Sequence, residues 1–178
     1  MGKLNRKTRR ERLRRENLTT FPFAVCAFSL INDLNIHLIY RTLSNLGGKE
    51  FFVIGSSSWF KGATNGVKEY LKITYFKHPE EFLEYIKETD YSLVAFEQSE
   101  KAECIYEVEY PKNPIFVFGN ESYGIPEPVL LKADKIVEIP TYGVHKVFNV
   151  SITSSIAMFD YVKKFQLKQN QQNLRLVK

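Results

Sequence analysis

Apolar residues run through this chain in short blocks that alternate between two periods. Residues 23–30 are almost continuously apolar and aromatic and lie between Pro22 and Asn32, which predicts a buried strand. Residues 35–46 repeat apolar positions at helical spacing (Ile36, Ile39, Tyr40, Leu43, Leu46), and Gly47-Gly48 ends that helix. Further strands are expected at 50–54, 73–76, 93–96, 115–118 and 136–139. A Ser/Gly-rich loop fills 55–66, and a polar loop follows residue 96. Pro79 opens a helix to about residue 89, with Glu80 and Glu81 in the first turn where the helix dipole favours acids. Pro126 opens a short helix to residue 132. The last helix is expected over 149–166, apolar at Val150, Ile152, Ile156, Phe159 and Val162, with a polar, frayed stretch at 169–173. Strands and helices alternating in this way predict an α/β fold, a mainly parallel sheet with helices on both faces.

At 178 residues and 44% hydrophobic, the chain is long enough for one domain with a real core. No apolar run approaches the ~18 residues of a membrane span, and the charged N-terminus predicts no secretory signal. Charge divides the chain further. Residues 1–16 carry a net +6, residues 163–178 a net +5, and the stretch between them a net −6. This gives a basic arm at 1–16, a domain at 17–168 and a polar, basic tail at 169–178. A basic arm on a mildly acidic body suits a phosphate backbone, so Arg6, Lys7, Arg9, Arg10, Arg12, Arg14 and Arg15 are candidate nucleic-acid contacts. A solvated or targeting arm is the competing reading. Cys26 and Cys104 sit in strand-like surroundings and read as two buried thiols, which points to a cytoplasmic compartment, an organelle being the alternative. Two cysteines and the scattered His37, His78 and His145 give no metal-ligand spacing, so no metal is expected.

In an open α/β sheet the site lies beyond the carboxyl ends of the strands. Four loops arrive there, at 32–35, 97–99, 119–124 and 140–148, bringing backbone amides, asparagines, Glu121 and the nearby Arg41. An adenosine-like ligand suits such a pocket. No GxGxxG follows the first strand, no GxxxxGK[ST] occurs, and no serine sits in a GxSxG turn. Dinucleotide oxidoreductases, P-loop enzymes and α/β-hydrolases are therefore disfavoured.

Three segments carry a more specific pattern. Asn35 is followed after five residues by Arg41-Thr42; Gly119-Asn120-Glu121-Ser122-Tyr123-Gly124 follows a strand; and residues 139–151 read IPTYGVHKVFNVS before a helix. In this order they resemble the three motifs of the SpoU/TrmH branch of the SPOUT RNA methyltransferases, across about residues 22–165. Thr141 stands where that family usually has Met, Val147 where it has Ser, and Phe148 where it has Leu. His37 and Leu38 replace its usual small Gly-Ala pair.

The resemblance implies a C-terminal trefoil knot and an S-adenosylmethionine-dependent ribose 2′-O-methyltransferase acting on tRNA or rRNA. It also implies a homodimer through the last helix, with sites often completed by the second subunit. Residue by residue, it implies that Phe96, Gly119, Asn120, Ile139, Gly143, Val147 and Phe148 line the cofactor. It makes Arg41 the catalytic residue, with Asn35, Glu121 and Asn149 holding the surrounding geometry. Arginine stays protonated and makes a poor base, so Arg41 is better suited to hold the target phosphate and stabilise a developing alkoxide. Val147 and the altered first motif keep an alternative open: a methyltransferase-like RNA-binding or ribosome-assembly protein with little or no catalysis. Helix capping is the competing reading for Asn35 and is compatible with a structural role for Asn149, while Ser151 reads as a first-turn residue and Trp59 as a packing or RNA-stacking side chain.

Overall fold

The computed structural model describes residues 20–28, 33–55 and 71–176. The arginines and lysine of the basic arm, Trp59 and the end of the first expected strand lie outside the described residues. In chain order the elements are β1 (Ala24–Phe28), α1 (Asp33–Asn45), β2 (Glu50–Ile54), β3 (Lys72–Phe76), α2 (Pro79–Lys87), β4 (Ser92–Phe96), β5 (Glu103–Cys104), β6 (Pro114–Phe118), α3 (Glu127–Leu130), β7 (Lys135–Glu138) and α4 (Val150–Leu176).

The strands form one sheet in the order β3-β2-β1-β6-β4-β7-β5, and every pairing is parallel. β1, β2 and β6 are buried along their whole length. Strands covered on both faces read as continuous apolar runs rather than alternating ones, which is why these three are so plain in the sequence. Alternate side chains go to opposite faces. Val25, Ala27, Phe116 and Phe118 pack with Ile36, Ile39 and Leu43 of α1 and Ala157, Met158 and Tyr161 of α4. Cys26, Phe52 and Val117 pack on the other side with Phe82 of α2 and Val129 of α3. The helices therefore cover both faces, as the alternation of elements predicts.

Four details depart from the sequence reading. β5 lies within the stretch read as a polar loop. It has two residues, pairs among the described residues with β7 alone, and contributes Glu103 and Cys104, so no apolar run announces it. α1 begins at Asp33, which puts Asn35 inside the first turn rather than at the cap. α4 does not end at residue 166 or fray from 169 but is helical to Leu176, with no glycine or proline inside it to stop it. Finally, Cys26 is buried as expected but Cys104 is only partly so; both are free thiols. Burial pushes the Cys26 thiol well above its ordinary range, so it stays protonated.

A polar network anchors α4 to the segment after β5. Lys164 Nζ donates to the carbonyls of Ile105 (2.6 Å) and Val108 (3.2 Å) and pairs with Asp160 at 2.9 Å. Tyr110 donates its hydroxyl to Asp160 Oδ2 at 3.0 Å. Burial, reinforced by the neighbouring Asp160 charge, raises the Tyr110 pKa far above its ordinary value; burial alone raises that of Tyr161. Among the described residues no helix is long and apolar enough to cross a membrane.

Candidate functional site

Parallel pairing brings the carboxyl ends of β4, β6 and β7 to one edge of the sheet. The loops leaving them enclose a cavity of about 430 Å³. Its wall is built from Phe96, Glu97 and Gln98 after β4, from Gly119, Asn120, Glu121 and Gly124 after β6, and from the segment between Ile139 and Thr153 that leads into α4.

The loop after β6 closes on itself. The Asn120 amide donates to the Gly124 carbonyl (3.0 Å) and the Gly124 amide to the Asn120 carbonyl (2.9 Å). Ser122 N–H donates to Asn120 Oδ1 at 2.8 Å, the local side-chain turn that asparagine favours. The two glycines are required for different reasons. Gly124 has φ +68°, in the left-handed region where a side chain is strained. A Cβ on Gly119 would sit 2.2 Å from the Gly124 carbonyl carbon and 2.4 Å from the Ile125 nitrogen, so here the obstacle is contact with backbone.

The first motif meets the second directly. The buried Asn35 donates its side-chain amide to Glu121 Oε1 at 2.7 Å, joining segments 86 residues apart in the chain. Arg41 lies six residues further along α1, exposed and outside the cavity wall. Its neighbour Thr42 puts Oγ1 3.3 Å from Ser155 Oγ, and the Ser155 hydroxyl donates to the Ser151 carbonyl at 2.7 Å. The segment bearing Arg41 is thereby tied to the first turns of α4.

Asn149 caps α4. Its Oδ1 accepts from the Ser151 amide at 2.9 Å and from the Ser151 hydroxyl at 2.6 Å, while the same residue forms part of the cavity wall. Capping and wall-building are one role here, and Ser151 serves the cap. Gln98 donates its side-chain amide to the Lys146 carbonyl, fastening the loop after β4 to the loop before α4.

Of the residues expected to line a cofactor, Phe96, Gly119, Asn120, Ile139, Val147 and Phe148 do line the cavity. Gly143 does not: it is exposed, and a Cβ there would meet nothing within 4 Å. His145 is exposed and His37 half-buried. Sequence reasoning brought the 97–99 loop to this edge but singled out no residue in it. Glu97 and Gln98 belong to the wall, and their only signal is their place immediately after a buried strand.

The chemistry of the wall fits an adenosine-bearing ligand. Phe96, Phe118, Ile139 and Phe148 offer apolar surfaces to a flat base, and exposed loop backbone supplies hydrogen bonds. Among the described residues no lysine or arginine lines the cavity.

Comparison with known proteins agrees with this geometry. Residues 22–159 match the sequence model of the SpoU rRNA Methylase family. A tRNA (guanosine(18)-2'-O)-methyltransferase of Thermus thermophilus is 26% identical over 129 residues, 71% of this chain and 66% of that protein. The protein of the same name from Aquifex aeolicus is 27% identical over 140 residues, 76% of this chain and again 66% of the relative. This chain thus spans just under two thirds of the length of those relatives. Among solved structures, the A. aeolicus TrmH/SpoU tRNA modifying enzyme superposes with a TM-score of 0.76 at 26% identity, covering 92% of this chain and 85% of that one. An AdoMet-bound rRNA methyltransferase from Sinorhizobium meliloti shares the fold, with a TM-score of 0.71 at 20% identity over 90% of this chain and 70% of that one. The family match runs from β1 through all three motif segments into α4, and the chain belongs to the SpoU rRNA methylase family.

Proposed function

We propose that this chain is an S-adenosylmethionine-dependent methyltransferase acting on a ribose 2′-hydroxyl of tRNA or rRNA. The observation that carries this reading is the bond from Asn35 to Glu121, which locks the first motif onto the loop that walls the cavity. When bound, S-adenosylmethionine supplies a sulfonium methyl for the ribose oxygen, the S–C bonding pair staying on sulfur and the hydroxyl proton leaving to solvent. Phe96, Ile139 and Phe148 would hold its adenine, and the 119–124 loop its polar parts. Asn35 and Glu121 fix that loop relative to α1, and so fix where Arg41 stands. Arg41 would neutralise the target phosphate and the charge that develops on the ribose oxygen.

The relatives named as tRNA methyltransferases and the AdoMet-bound neighbour support the reading. The C-terminal segment is read as the trefoil knot of this family. A second copy of the chain is expected on α1 and α4, where Leu34, Leu38, Ile152, Phe159 and Leu167 are exposed. In the dimer, Arg41 would serve a site made by both subunits, which accounts for its place outside the single-chain cavity. The basic arm would grip RNA phosphates.

One observation favours a weaker enzyme. Val147 stands on the cavity wall 70% exposed, giving an apolar surface where the family usually has a hydroxyl. A protein that binds RNA and rarely or never turns over is the alternative. Calorimetry with S-adenosylmethionine, followed by mass spectrometry of RNA treated with wild type and Arg41→Ala, separates the two. Absence of both cofactor binding and ribose methylation would remove the enzyme reading.

A further inference from the structure

The wall of the cavity contains a carboxylate that the proposed mechanism does not use. Glu97 is half-buried at the end of β4, and each of its oxygens accepts one backbone amide: Oε1 from Gln98 at 3.2 Å and Oε2 from Ile125 at 3.3 Å. Both bonds are long, and each oxygen keeps further acceptor capacity. The bond to Ile125 reaches the loop that follows β6, so the carboxylate is held from two loops at once. Space for it is reserved as well: a Cβ on Gly124 would come within 2.8 Å of Glu97 Oε2. The last glycine of the second motif therefore does two things, supplying the turn and leaving room for this charge. Among the described residues no lysine or arginine of the wall neutralises it.

We infer that Glu97 is a specificity-determining residue, a fixed negative charge that favours the cationic sulfonium cofactor over the neutral thioether left after methyl transfer. This rests on reading the cavity as the S-adenosylmethionine site. S-adenosylmethionine carries one more positive charge than S-adenosylhomocysteine and is otherwise nearly the same shape. Shape alone separates the two poorly; a nearby charge separates them well. A carboxylate on the wall of a partly wetted cavity discriminates between the two by roughly tenfold. The consequence is that product is released in preference to cofactor.

The test is binding, not turnover. Calorimetry is run with S-adenosylmethionine and S-adenosylhomocysteine on full-length wild type, Glu97→Gln and Glu97→Asp. Glu97→Gln should weaken S-adenosylmethionine about tenfold and S-adenosylhomocysteine by less than about twofold; Glu97→Asp should keep the preference. Equal losses for both ligands would mean that Glu97 only braces the loops, and the inference fails. Should Glu97→Gln not fold, wild type provides the second measurement: raising salt from ~0.05 to ~0.5 M should weaken S-adenosylmethionine more than S-adenosylhomocysteine. A salt-independent ratio also overturns the inference. Wild type that binds neither ligand removes the cofactor reading itself, a result distinct from a ratio that Glu97→Gln leaves unmoved.

Discussion

Replacing Gly119 by alanine isolates steric contact from backbone conformation in the loop after β6. The added Cβ would lie 2.2 Å from the Gly124 carbonyl carbon, 2.4 Å from the Ile125 nitrogen and 2.6 Å from the Gly124 oxygen. All three are backbone atoms, so no flexible side chain can swing away. Relief requires the Asn120–Gly124 bridge to open by about 1 Å, which breaks both of its hydrogen bonds, now 3.0 and 2.9 Å long. Each is worth ~1 kcal/mol net, and Asn120 is buried, so unpaired groups add desolvation cost. The expected loss is ~2–4 kcal/mol, or roughly 5–15 °C in Tm for a chain of this size. Urea unfolding followed by circular dichroism measures it, with an unchanged m-value as the check on two-state behaviour. Gly143→Ala is the matched control: nothing lies within 4 Å of a Cβ there, and the residue is not in the left-handed region, so the change should stay within ~0.5 kcal/mol. If Gly119→Ala melts with the control and binds S-adenosylmethionine as wild type does, the account of this loop is wrong.

Three further outcomes are expected. Asn35→Ala should cost about 1 kcal/mol, and the double variant with Glu121→Ala should cost less than the sum of the two single variants, because both remove the same hydrogen bond; a double-mutant cycle from urea curves reads the coupling, and strict additivity would refute it. Arg41→Ala should leave stability within ~0.5 kcal/mol and cofactor affinity unchanged, since the residue is exposed and off the cavity wall, while ribose methylation falls ~100-fold or more; undiminished methylation would exclude the assigned role. Alkaline pH should destabilise the fold. Tyr110 and Tyr161 have native pKa values raised above the ordinary 10.0, so the unfolded chain releases these protons first. Their contribution is complete below pH ~10 and is lost as pH rises past it. Tyr110→Phe should make that decline shallower in urea titrations between pH ~9 and ~11.

The sequence reveals what is continuous and hides what is assembled. β1, β2 and β6 stand out because burial on both faces demands unbroken apolar runs. The three motif segments are equally plain, since Gly119, Gly124 and Asn149 answer local steric and capping needs. β5 is hidden because a two-residue edge strand needs no periodicity. The extension of α4 is hidden because Gln and Asn residues signal a loop by composition yet contain nothing that stops a helix. Glu97 is hidden because its importance comes from Ile125 and Gly124, 28 and 27 residues away, and no local pattern encodes that meeting. Gly143 is the reverse case: a motif position that the structure places off the cavity wall.

The strand order carries a consequence for synthesis. β1 leaves the ribosome early and can pair with β2, but its other neighbour is β6, about ninety residues later in the chain. Until β6 arrives, one edge of β1 lacks its partner, and an unpaired apolar edge invites association with other chains. The cavity wall draws on residues from Phe96 to Thr153, so a nascent fragment that stops short of α4 lacks part of it. Pairing across such long separations makes folding slow. The half-built sheet therefore keeps an open edge through most of translation, and the cavity forms only when the start of α4 has been made.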